Sequence, residues 1–155
     1  MRVISCYFVL RLNANYSPLR DFRASNTMYP TRLTTERLIL RKIVLSETDF
    51  VFDYASDPDV TTYVAWPSPT TREDTREYLA EMLNQWDRNE CFEYFIVRSS
   101  DSMLLGAISL VPEDHSVTIG YVIAKRFWGN GYATEAARHL VRLALAQKEI
   151  FRVPQ

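Results

Sequence analysis

Apolar and polar positions along this chain follow two different periods, and the changes of period mark its elements. In RLILRKIV, Arg37 to Val44, apolar and basic side chains alternate, which predicts a half-exposed strand. Ser46 stands as an N-cap ahead of a short helix beginning at Glu47, and Asp49 in its first turn suits the positive end of the dipole. Asp57-Pro58 breaks that helix, and Asp59 is placed to cap a next turn through Val60 and Tyr63. Pro67 and Pro69 mark a loop. Thr70 with Glu73 three residues on reads as a capping box. The helix it opens carries Tyr78, Leu79, Met82, Leu83 and Trp86 at three-and-four spacing and ends near Arg88-Asn89.

Strand-like runs follow. CFEYFIV (Cys91 to Val97) is a strand, Ser99 to Ser102 a turn, and MLLGAISLV (Met103 to Val111) the returning strand of a hairpin. Pro112 to His115 turns again, and SVTIGYVIA (Ser116 to Ala124) is the third strand of a meander. A loop, Lys125 to Tyr132, leads into a helix from Ala133 to about Gln147. Its apolar face is Ala133, Ala136, Ala137, Leu140, Val141, Ala144 and Leu145. IFRV, Ile150 to Val153, opens a further strand that Pro154 cuts short. Strands and helices in one unbroken run, without repeats or a low-complexity linker, predict one α/β domain over residues 31–155.

Composition narrows the class. Of 155 residues, 47% are hydrophobic and 24% charged, which excludes a disordered or collagen-like chain. Two cysteines, Cys6 and Cys91, are too few for a disulfide framework and lack zinc-type spacing, so no metal site is expected. The longest apolar run, Val3 to Leu10 broken by Ser5, is far too short for a membrane span. The expected setting is a reducing, cytoplasmic one, with no membrane partner.

The net charge is −1, but its distribution is uneven. Residues 47–93 hold twelve acids against Arg72, Arg76 and Arg88, a net of −9, and no Lys/Arg stripe exists to suit nucleic acid. An acidic half favours a cationic partner such as an amine, although such acids also serve simply to solvate helix faces. Residues 1–30 have four Arg and one acid and look unlike the rest. They resemble a transit segment, or an over-extended start with Met28 as the initiator, and carry no assigned function.

Candidate chemistry concentrates in Arg126-Phe127-Trp128-Gly129-Asn130-Gly131-Tyr132-Ala133, between a strand and a helix. Two of the chain's four glycines lie here, two positions apart, where the backbone can turn sharply and approach a ligand. Successive N–H groups ahead of a helix N-terminus form an anion cradle, with a diphosphate as the expected guest. Thr134 stands where a dinucleotide fingerprint needs a third small residue, and no Gly-Lys-Ser/Thr is present for a Walker loop.

R-x-x-G-x-G-x-A after a strand ending IGYVIA, with TEAARHLVRLAL following, resembles the acetyl-CoA loop of the GCN5-related N-acetyltransferases (GNAT). TERLILR, the acidic DPDV segment and LLGAISL before the IGYVI strand look like the RimJ/RimL-like branch, with Gly106, Gly120, Gly129 and Gly131 where its pattern has glycine. The likeness runs from about Arg32 to Val153. It implies a mixed, mostly antiparallel sheet flanked by helices and acetyl-CoA as cosubstrate. The acceptor would be a primary amine, either a protein N-terminus or a small molecule.

By that resemblance, the amides of Phe127, Trp128, Gly129, Asn130, Gly131, Tyr132, Ala133 and Thr134 would hold the CoA diphosphate, with Arg126 as the first signature residue. Val122 and Ile123 would pair with the pantetheine arm. A backbone N–H there would stabilise the oxyanion of the thioester carbonyl, an effect worth roughly 3 kcal/mol per donor. The attacking amine must be neutral, and Glu93, Glu113 and His115 are the candidate bases. The family often has an acid directly before its IGY motif, where this chain has Thr118. The family also continues past the Arg-Val of its next strand into a helix and closing hairpin, which this sequence does not contain. A shortened enzyme, a catalytically impaired CoA-binding module, or a homodimer that completes the sheet by strand exchange are the expectations that follow.

Overall fold

The computed structural model describes residues 29–62, 67–113 and 116–146. Their strands are β1 (Arg32–Thr34), β2 (Leu38–Lys42), β3 (Phe92–Arg98), β4 (Leu104–Glu113) and β5 (Ser116–Ile123). They form one sheet in the order β1-β2-β3-β4-β5, and every pairing among the described residues is antiparallel. The strand expected at Ile150–Val153 lies outside the described residues, as does His115. The short β1, for which the pattern of alternation had no signal, pairs Leu33 with Leu40.

Helices α1 (Thr48–Ala55), α2 (Pro58–Thr61) and α3 (Arg72–Asp87) lie between β2 and β3 in sequence, and α4 (Tyr132–Ala146) follows β5. Even and odd positions of each strand face opposite ways. Phe95, Ala107 and Val122 join Val51, Tyr54 and Leu79 of α1 and α3 in one core cluster. Tyr94, Ile108 and Ile119 join Ala136, Leu140 and Ala144 of α4 in the other. Full burial of a side chain such as Leu140 stabilises by about 1.5–3 kcal/mol. Leu145, expected on the apolar face of α4, is instead exposed.

All four helix starts differ from the sequence expectation by one or two residues, α4 opening at Tyr132 rather than Ala133. The first helix is preceded by a 3₁₀ turn, Leu45–Glu47, and Ser46 makes no capping bond. Asp57, not Asp59, caps α2, accepting from the Asp59 amide with Pro58 at the first helical position. The capping box of α3 is Thr71 with Asp74 rather than Thr70 with Glu73. Asp74 accepts from the Thr71 amide and from both the amide and hydroxyl of Thr70, so one carboxylate gathers both threonines. At the other end of α3, Asn89 takes the left-handed conformation (φ 59°) and the Glu90 amide returns to the Gln85 carbonyl, ending the helix where expected.

The meander also runs longer than expected. Pro112 and Glu113 pair with Val117 and Ser116 inside the β4–β5 ladder rather than turning. Gly106 makes a close approach possible in that ladder: a Cβ there would overlap the Val122 carbonyl oxygen and sit 2.9 Å from the Ile123 Cα.

Candidate active site

Strand β5 leads directly into the glycine loop. A 3₁₀ turn, Lys125–Phe127, forms first, and the Trp128 indole N–H then donates back to the Ile123 carbonyl at 2.7 Å. Gly129 and Gly131 both have positive φ, 78° and 77°, which explains why glycine stands at each. The Asn130 side-chain amide ties the intervening turn by donating to the carbonyls of Phe127 and Trp128. This shape leaves the consecutive amides from Gly129 to Thr134 with no hydrogen-bond acceptor among the described residues. The amides of Phe127 and Trp128, by contrast, are spent inside the 3₁₀ turn on the carbonyls of Ala124 and Lys125. The expected cradle therefore begins at Gly129. Beside Gly129 there is open space, with nothing within 4 Å of where a Cβ would stand. Six unpaired donors, open approach and the positive end of a 15-residue helix fit a diphosphate well.

A clamp that the sequence reading did not include holds this loop. Arg37 donates from its amide (2.8 Å) and Nε (2.7 Å) to the Glu135 carboxylate and from Nη1 to the Asn130 carbonyl (3.1 Å). Its guanidinium lies 4.8 Å from the centre of the Tyr132 ring. Thr35 donates to the same carboxylate. Burial alone would raise the Glu135 carboxyl, but these donors together hold it below the usual range. The partners are about a hundred residues apart, so no local spacing signals them. Arg126 turns the other way, over the rings of Phe50 and Phe127.

β5 is the edge of the described sheet. The Ala124 amide donates to Leu105 at 2.9 Å, so by the two-residue alternation of an antiparallel ladder the peptide groups of Val122 face β4. Those of Tyr121 and Ile123 face the opposite edge. Of the two residues expected along the pantetheine arm, Ile123 therefore offers a backbone N–H and Val122 only its side chain.

That side chain lines a cavity of about 340 Å³ between the sheet and helices α1 and α3. Its floor is Ala107, Ser109, Gly120 and Val122, and the segment Pro67–Thr70 forms the rim. Glu93 stands in this floor, paired across the ladder with Ser109, and is 6% exposed. Burial raises its carboxyl to about 7, against the opposing hydrogen bonds from the Tyr78 hydroxyl at 3.1 and 2.9 Å. Tyr78, expected on the buried face of α3, is partly exposed at the cavity instead. Tyr54 lines both this cavity and a second one of about 440 Å³ at the start of the glycine loop, where Arg126 lies. The two spaces adjoin.

Glu113 is not brought to this cavity. It closes the β4–β5 hairpin, accepting from the hydroxyls of Ser116 (2.8 Å) and Thr118 (2.9 Å), four residues and roughly 13 Å along β4 from Ser109. Thr118, standing where the resemblance has an acid, is thus bound to one. Among the described residues, no group of three or more His, Cys, Asp or Glu side chains is placed to hold a metal ion, and no helix is long and apolar enough to cross a membrane.

Comparison with known proteins agrees with this geometry. The model of the acetyltransferase (GNAT) domain matches residues 37–153. An uncharacterized N-acetyltransferase of Bacillus licheniformis, p20, is 30% identical over 125 residues, covering 78% of this chain and 70% of that protein. A GNAT-family acetyltransferase from Bacillus anthracis superposes with a TM-score of 0.66 at 24% identity, over 77% of this chain and 69% of that one. RimL, a ribosomal-protein alpha-N-acetyltransferase solved in complex with coenzyme A, superposes at 0.62 with 19% identity, over 79% and 70%. A meander whose last strand runs through a double-glycine turn into a helix, matched by the domain model over nearly all of the described residues, makes this chain a member of the GNAT acetyltransferase family.

Proposed function

We propose that the chain transfers an acetyl group from acetyl-CoA to a primary amine held in the cavity beside Glu93. Acetyl-CoA supplies the activated acyl group; the protein supplies binding, orientation and a proton acceptor. The unpaired amides from Gly129 to Thr134 would hold the diphosphate, with Arg126 at the entrance. The Ile123 N–H on the open edge of β5 would meet the thioester carbonyl as negative charge develops on it. Such a donor contributes about 3 kcal/mol to the transition state.

Glu93 acts as the general base. An amine must lose a proton to attack, and a carboxylate near neutrality accepts it at working pH far better than an ordinary surface acid. As the C–N bond forms and the C–S bond breaks, the ammonium proton passes to Glu93 and the departing thiolate takes up a proton from solvent. The observation that carries this reading is Glu93 itself, a buried carboxylate in a cavity whose floor strand runs straight into the amide cradle.

The test is twofold. Calorimetric titration with acetyl-CoA should show one site, and thiol release should depend on added amine. Glu93→Gln should keep acetyl-CoA affinity while lowering kcat/KM by about 10²–10⁴. Absence of acetyl-CoA binding by folded protein would overturn the reading. Binding without turnover on any amine would leave a coenzyme A-binding module.

A further inference from the structure

Most side-chain hydroxyls of the Glu93 cavity already donate within the protein, and that restricts the amine. Tyr78 donates to Glu93, Ser68 to the Ala55 carbonyl and Ser109 to the Gly120 carbonyl. Thr70 donates to Asp74, whose carboxyl this and the Thr71 bonds hold below its usual value at the rim. The hydroxyl of Thr75, 3% exposed, is the one buried side-chain group of the lining without a partner among the described residues. The rest of the lining is mostly apolar, Val51, Ala55, Pro67, Pro69, Ala107 and Val122 among it, with the rings of Tyr54 and Tyr121. Among the described residues, no Lys, Arg or His lines the cavity.

Three consequences follow. A peptide entering amine-first buries at least two amide groups, and each one left unpaired costs about 1–3 kcal/mol. The hydroxyls that already donate can still accept from a peptide N–H, but few donors are left for its carbonyls. A carboxylate beside the amine would face Glu93 and Asp74 with no cation to offset it. Space for a guest, at about 340 Å³, is at the small end for ligand cavities.

We propose that the acceptor is a compact apolar primary amine that carries no carboxylate and at most one further hydrogen-bonding group. Its ammonium meets Glu93, its body lies against the Pro67–Pro69 rim and the α1 face, and Thr75 is available to the one polar substituent. This rests on the reading of the cavity as the acceptor site.

The decisive experiment uses the full chain saturated with coenzyme A and three guests with one side chain: 2-phenylethylamine, phenylalanine and the tripeptide Phe-Gly-Gly. Affinity is measured by calorimetry, so the result does not depend on turnover. The expected result is that phenylethylamine binds at least 100-fold more tightly than phenylalanine and at least 10-fold more tightly than the tripeptide. Equal or tighter binding of either competitor, or no binding of phenylethylamine, overturns the proposal. Ala55→Leu, which fills the cavity from α1, should weaken phenylethylamine at least 10-fold with coenzyme A affinity unchanged. Unchanged amine affinity in that folded variant also overturns it. Thiol release from acetyl-CoA is followed in parallel: selective binding of phenylethylamine without release retains the acceptor class and removes the transfer reading.

Discussion

The Tyr78 hydroxyl donates to both carboxylate oxygens of Glu93, joining the second turn of α3 to the strand β3. This pair sets the charge of the cavity. Burial pushes the carboxyl up, and the tyrosine, by bonding to the charged form, pulls it part of the way back.

Removing that donor should move the working pH. A hydrogen bond to a charged group is worth about 1.5–3 kcal/mol, equivalent to about one to two pKa units. In Tyr78→Phe the acidic limb of the kcat/KM profile should therefore rise from near pH 7 by at least one unit, with the plateau at high pH nearly retained. A profile that falls uniformly at every pH would show that Tyr78 serves the fold rather than the carboxylate.

Glu93 also links stability to pH. Its folded carboxyl titrates near 7 and its unfolded one near 4.5, so between these values the folded state holds the extra proton. The native state is favoured below about pH 4.5, and that advantage disappears as pH rises through 7. The span corresponds to about 3 kcal/mol. Glu93→Gln should unfold at higher denaturant concentration than the parent at pH 8, with the gap closing toward pH 5. Parallel stability curves across that range would contradict the burial of an ionisable group here.

Gly131→Val tests the cradle. At φ 77° a β-branched residue is strained by about 1–3 kcal/mol, so the variant should melt lower as well as bind coenzyme A at least 10-fold more weakly. Full coenzyme A affinity by calorimetry would remove the loop from the binding site.

Breaking the clamp should act on the loop from a distance. Glu135→Ala leaves the Arg37 side chain and amide and the Thr35 hydroxyl without their shared acceptor. We expect a loss of about 1–2 kcal/mol and faster hydrogen exchange of the Gly129–Gly131 amides. Exchange unchanged from the parent would mean that the glycine turn holds itself.

Gly106→Ala should be the most damaging of these changes. The new methyl overlaps the Val122 carbonyl oxygen, a backbone atom with no freedom to yield within the ladder. Loss of the cooperative unfolding transition is expected, and a native-like melt would show that β4 and β5 can separate there.

Much of this was legible along the chain. The strands β3, β4 and β5 read as near-continuous apolar runs because one face of each meets α1 and α3 and the other meets α4. Asn89 marked the end of α3 since few residues tolerate its backbone conformation. The helix starts shifted by a residue or two because Thr70 and Thr71, or Asp57 and Asp59, are locally interchangeable as caps until the backbone chooses one.

By itself the sequence determined the period of each element and the position of the two glycines. These depend on backbone conformation and on neighbours a few residues away. The tertiary structure alone decided which acid enters the cavity. Glu93 and Glu113 read alike as candidate bases, yet Glu93 is covered by Tyr78 from α3, while Glu113 is bound by Ser116 and Thr118 at the far end of the meander. The clamp of Arg37 on Glu135 was equally invisible, since residues so distant in sequence meet only after α4 packs across the sheet. A carboxylate's chemistry follows from its burial and its donors, and both are supplied by elements that sequence order keeps apart.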